Sequence, residues 1–149
     1  MDDKRPALPI TIVDPIASVR EWFTRFGPYC AAVDYESARV LFAPDVVSFG
    51  TKEKIVAGLD HLQANQWQGI WANIRDFRFE MDTLHTGGDD NSAWGIITWT
   101  STGFDEQGKA FHRPGRATVI LERRDGCWLA VHTHFSLAPG TPPRTYGAR

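Results

Sequence analysis

His132, His134 and Ser136 stand two residues apart in the stretch VHTHFS, near the end of the chain. In extended backbone, side chains two apart point the same way, so these three share one strand face. Imidazoles and a hydroxyl on one face could hold a metal, move a proton or attack a carbonyl. Each of those chemistries asks for more. Zinc takes at least three protein ligands; His112, on the neighbouring strand or its approach, is the one plausible helper, and the sequence does not place Cys30 or His85 relative to the pair. A nucleophilic serine sits on a glycine-flanked elbow, which the sequence FSLAP around Ser136 lacks. The spacing therefore points to no metal and no cofactor. The histidines read as structural groups, hydrogen-bonded to Ser136, Thr118 or a partner subunit. His61 with Asp60, and the arginines Arg113, Arg116, Arg123 and Arg124 near Glu122 and Asp125, read as solvated surface rather than as an acid–base pair or an anion site.

The elements that must position these residues fit in one domain. The 149 residues suit a single core, with residues 1–13 as an N-terminal extension, 14–139 as the domain and 140–149 as a Pro- and Gly-rich tail. Both ends read as loose. Six Trp and nine Phe make the core strongly aromatic. A net charge of −2 carries no electrostatic footprint for nucleic acid. No apolar run approaches a membrane span, and no signal-like segment opens the chain. Cys30 and Cys127 read as free thiols in a cytoplasmic protein.

Helical periodicity comes first. Asp14 and Pro15 open a helix whose apolar side is Ile16, Val19, Trp22, Phe23 and Phe26, and Gly27–Pro28 should kink or break it. Asp34 caps a short second helix that ends near Ala43–Pro44, and Val46–Phe49 reads as a short strand. A third helix follows Gly58, with Leu59, Leu62, Trp67, Ile70, Trp71 and Ile74 as its stripe. The period then changes to two, through four strands of an antiparallel meander. Helices followed by strands indicate an α+β fold with the helices on one sheet face.

The last hairpin sets the faces. A two-residue Asp125-Gly126 turn pairs Arg124 with Cys127 and brings Val119 beside His132, mixing polar and apolar side chains. A three-residue loop, Arg124-Asp125-Gly126, pairs Arg123 with Cys127 and separates them. That register is the one expected. It places Ala117, Val119, Leu121, Leu129, Val131, Thr133 and Phe135 towards the helices. Arg116, Thr118, Ile120, Trp128, Ala130, His132, His134 and Ser136 face outward. Trp128 and Ile120 on an open face point to a sheet-to-sheet homodimer.

The kinked first helix, VDYESARVLFAPDVVSFG, the helix after Gly58 and the closing RRDGCWLAVHTHFSLAP resemble the SnoaL-like group of the nuclear transport factor 2-like superfamily. The ending also resembles the association domain of calcium/calmodulin-dependent kinases. The resemblance spans Asp14 to Pro139. It implies a cone, a curved antiparallel sheet wrapped on three N-terminal helices with a pocket at its open end. Such members include isomerases, cyclases, dehydratases, hydrolases and modules that only bind or assemble, so fold alone names no reaction.

Ketosteroid isomerase, the best-known enzyme of this kind, needs a general base with a Tyr and a protonated Asp as oxyanion hole. By resemblance those positions fall near Gly50, Phe26 and Val119, none of which can do the work. The arginines of kinase association domains correspond to Val119 and Phe135. What remains is a greasy wall of Phe26, Phe49, Trp67, Trp71, Val119, Leu121 and Phe135, with Thr133 as its polar group. Such a wall suits a small hydrophobic metabolite. The expected dimer face comprises Arg116, Thr118, Trp128, His132, His134 and Ser136. A non-catalytic homodimeric association module is the alternative.

Overall fold

The computed structural model describes residues 6–148. Helix α1 runs over Pro15–Ala31 and α2 over Tyr35–Arg39. Asp14 caps α1 through its carboxylate, which accepts from the Ala17 amide at 2.9 Å, and Val19, Trp22, Phe23 and Phe26 are buried. The break expected at Gly27–Pro28 does not occur. Pro28 lies in the last turn, where losing one donor is tolerable, and the helix continues to Ala31. It ends instead in a reversed turn: Val33 N–H donates to Cys30 O and Asp34 N–H to Tyr29 O, with Val33 at φ +55°. This is the usual glycine stop made with a β-branched residue.

Strand β1 spans Phe42–Phe49, starting four residues earlier than expected, and β2 is Val56–Ala57. The third helix, α3, is composite. It is α-helical over Leu59–Leu62, π-wound over Gln63–Trp67, α-helical over Gln68–Ile70, and closes in a 3₁₀ turn at Trp71–Asn73. The sequence held a trace of this: Leu62 and Trp67 are five apart, the spacing a π-turn aligns. Strands β3 (Arg75–Gly88), β4 (Ser92–Phe104), β5 (Ala110–His112), β6 (Gly115–Arg124) and β7 (Cys127–Leu137) follow.

The curved sheet has seven strands in the order β2-β1-β7-β6-β4-β3, with β5 on β4. The expected meander, β3-β4-β6-β7, is antiparallel, but the sheet as a whole is mixed. β1 pairs with β7 in parallel, because the chain between them crosses through α3 and the meander before returning.

The hairpin between β6 and β7 corrects the expected register. Arg124 pairs with Cys127 across a two-residue turn, with Asp125 at φ +51° and Gly126 at φ +78°. Positive φ at both central positions is the turn that matches strand twist. The difficulty foreseen for this register disappears at a bulge. Leu121 pairs with Ala130 but Ile120 with His132, so Val131 is the extra residue. The bulge exchanges the faces of β7. Trp128 and Ala130, expected outward, are both wholly buried, while Thr133 and Phe135 beyond the bulge also turn inward. Leu129 and Val131, expected inward, are only half-buried.

Trp128 owes its burial partly to the N-terminal segment. Ile10 bridges to it, its amide donates to Ile10 O, and its indole donates to Ile12 O at 2.8 Å. Residues 6–13 are therefore tied down, against the expectation of a loose end. At the other terminus Tyr146 N–H donates to Phe104 O, and the Thr145 hydroxyl bridges Phe104 N–H and Asn73 O.

Candidate functional site

α3 closes one end of the cone. Its π-turn carries two adjacent residues inward, Gln66 and Trp67, where a regular α-helix would splay them apart. Trp67 stacks on Trp71 at 4.7 Å between ring centroids, and Trp71 stacks on Tyr35 at 5.2 Å. Phe26 meets Trp71 edge-on and lies 6.0 Å from Phe135. Between these rings lies a cavity of about 50 Å³. That admits a few water-sized groups, and is far smaller than the roughly 300–1,000 Å³ of a typical ligand pocket.

Of the eight wall residues expected from sequence, Phe26, Phe49, Trp67, Trp71, Thr133 and Phe135 line this cavity. Val119 and Leu121 are buried in the core away from it. Phe49 reaches it only at the rim. Its register partner is His134, and its ring stands edge-on to His132 and His134 at 5.2 and 5.1 Å. Thr133 is satisfied by Ser48, hydroxyl to hydroxyl at 2.6 Å.

Gly50 also lines the cavity, and a Cβ there would meet the Gln66 side chain at 2.3 Å. A side chain at Gly50 would have to displace the end of Gln66. Gln66 is committed to the loop after β1: its oxygen accepts from the amides of Lys52 and Glu53, and its nitrogen donates to the Thr51 hydroxyl. Among the described residues, no carboxylate, imidazole or phenol lines the cavity. Burial pushes the Cys30 thiol far above its ordinary range, so it is no thiolate.

The residue that sequence reasoning misplaced is Arg113. It was grouped with a solvated hairpin edge, and the structure buries it, leaving 2% exposed, on the cavity wall. Its backbone is fixed by Ser101 on β4: Arg113 N–H donates to Ser101 O, and the Ser101 hydroxyl donates to Arg113 O at 2.8 Å. The guanidinium lies over Trp99, 5.6 Å from the ring centroid. One terminal nitrogen donates to Thr51 Oγ1 at 3.2 Å. Among the described residues no carboxylate pairs with it. Burial lowers its pKa to about 10, which leaves it cationic at neutral pH. A local signal existed: HRPGR sets this arginine at a Pro-Gly stop before β6, apart from the hairpin tip where Arg123 and Arg124 lie.

The expected outer face forms around the histidines. His132 Nδ1 lies 2.7 Å from Val47 O, which can only accept, so that nitrogen carries the hydrogen. Arg116 donates to Ser136 Oγ. Across β6, Thr118 pairs with His134 and Ile120 with His132. Trp94, Ile96 and Ile120 are 40%, 46% and 37% exposed, and Trp94 and Ile96 pair with Ile120 and Thr118, so they form one strip. Trp128 takes no part, for the reason given above. Among the described residues no three His, Cys, Asp or Glu side chains gather closely enough to hold a metal. His61 is exposed on α3, and Asp60 beside it takes Arg39.

Residues 19–140 match the model of the SnoaL-like domain. The chain belongs to that family. No curated protein matches it. Solved structures similar to this SnoaL-like chain show the same fold at low identity. A Xanthomonas campestris protein named for the calcium/calmodulin-dependent protein kinase II association domain aligns with TM-score 0.70 and 22% identity, over 95% of this chain and 99% of that one. A nuclear transport factor 2-like superfamily protein from Salmonella enterica serovar Typhimurium aligns with TM-score 0.70 and 18% identity, over 88% and 99%. The association domain of the Caenorhabditis elegans kinase aligns with TM-score 0.58 and 14% identity, over 81% and 92%. No helix among the described residues is long and apolar enough to cross a membrane.

Proposed function

We propose that this SnoaL-like protein binds a small, largely apolar metabolite in the cavity between α1, α3 and the inner sheet face. The observation that carries this reading is the cavity wall: a ring of Phe26, Trp67, Trp71, Trp99 and Phe135 around a space that they do not fill. Binding, rather than proton transfer, suits that wall, because no carboxylate or imidazole among the described residues lines it. Calorimetric titration with a small neutral aromatic such as benzyl alcohol tests the reading. Saturable binding with a negative heat-capacity change is expected, and Phe135→Arg should abolish it. Absence of saturable binding by any small aromatic would overturn it.

A second reading rests on a separate observation, the exposed strip of Trp94, Ile96 and Ile120 beside His132 and His134. We propose that this face joins two copies of the chain. Light scattering should give about twice the 16.7 kDa chain mass, and Ile96→Lys should return it to one. A monomer at micromolar concentration would remove this reading and leave the pocket untouched.

A further inference from the structure

The cavity wall has a polar imbalance. Among the described residues, two buried side-chain nitrogens lack hydrogen-bond partners: Arg113 Nε and Trp99 Nε1. Both are donors only, and both belong to residues that line the same cavity. Thr51, also on that wall, accepts from Gln66 Nε2 and from Arg113, yet its own proton has no acceptor among the described residues. The polar groups that could have answered them are spent. Gln66 Oε1 already takes two backbone amides, and Thr133 is closed on Ser48.

Buried donors without acceptors are costly, and a buried cation without an anion more so. A sequence that retains two such donors on residues lining one cavity, beside a half-buried hydroxyl, leaves a place for an acceptor brought from outside. The acceptor must match a guanidinium, which favours a planar carboxylate. Its remaining surface must suit the apolar part of the wall that leads to the rim, Phe49 and Ile70 among it.

We infer that the ligand of this pocket is a small monocarboxylate with an apolar or aromatic body, its carboxylate seated on Arg113, Thr51 and Trp99. The inference rests on the pocket reading above and adds the chemical class. The carboxylate fits the existing cavity of about 50 Å³. The body extends past the rim, where Phe49 is partly exposed and Ile70 is half-buried. Arg113 acts by binding and orienting the ligand.

Titration of the full chain with phenylacetate and its neutral isostere phenylacetamide, at fixed chloride, tests this. Phenylacetate should bind at least about tenfold more tightly, about 1.4 kcal/mol, because charge-assisted hydrogen bonds to its carboxylate are stronger than those to the neutral amide. Arg113→Gln should erase that preference, and Arg113→Lys should keep part of it. The wild-type comparison stands even where a variant fails to fold. Equal binding of both compounds, or a preference that survives Arg113→Gln, would overturn the carboxylate assignment and leave the apolar pocket in place. Binding of neither compound, together with no binding of benzyl alcohol, would overturn both.

Discussion

Arg113 and Arg124 bracket the same strand, β6, and live in opposite worlds. Arg124 is at the hairpin tip, with 2.7 Å to Asp45 and 3.1 Å to Glu122, all in contact with solvent. Arg113 is buried on an aromatic face with a hydroxyl for company and no carboxylate among the described residues. The exposed arginine has the partners, though water and salt would screen it without them. The buried one lacks the partner that its environment requires. Ion pairs at a surface add little to a fold, whereas a buried charge without a paired ion is costly.

The largest test of this contrast is Trp99. The guanidinium rests on that ring, and Trp99 is itself fully buried, so Trp99→Ala should cost about 3–5 kcal/mol in chemical denaturation. Trp99→Phe should cost far less, because the indole N–H has no partner to lose among the described residues. A large loss in Trp99→Phe would show that the N–H is already satisfied and would break the contrast.

Next comes Arg113→Met, with the opposite sign. Replacing a buried charge that has no paired ion among the described residues by an apolar chain of similar length should stabilise the ligand-free protein by roughly 1–3 kcal/mol, the desolvation cost of an unsatisfied buried group. Loss of stability would mean that the cation–π contact and the Thr51 bond already compensate the charge.

The smallest effect belongs to the hairpin tip. Hydrogen bonding from Arg124 holds the Asp45 carboxyl below its ordinary value. A lowered carboxylate pKa adds stability that is present above the unfolded-state value and is lost as pH falls through the folded-state value. Asp45→Asn should therefore lower the melting temperature only slightly at neutral pH in physiological salt, and flatten a slight decline in acid. A marked drop at neutral pH would show that the exposed network matters as much as the buried cation.

The hairpin shows what was legible and what was not. Asp125-Gly126 announced a two-residue turn, but a uniform register then set Val119 beside His132, and a longer loop looked cleaner. The bulge at Val131 resolves both, and bulges leave no reliable mark in a single sequence because they answer to sheet curvature. The same one-residue slip hid Trp128 in the core. Among the wall residues, those on α1 and α3 were readable from helical spacing, whereas Val119 and Leu121 were assigned inward correctly but lie too deep to reach the cavity.

The sequence by itself determined the α+β order, the capped first helix, the aromatic core and the SnoaL-like resemblance. Those depend on local periodicity and capping, which act within a few residues of one another. Only the tertiary structure decided that β1 lies parallel to β7, that a π-turn brings Gln66 and Trp67 inward together, and that Arg113 is buried while Arg124 is not. Burial of a charge depends on which distant segments close over it. For Arg113 those are Trp99, Thr51 and Ser101, brought together by strand pairing and by the loop that Gln66 holds in place.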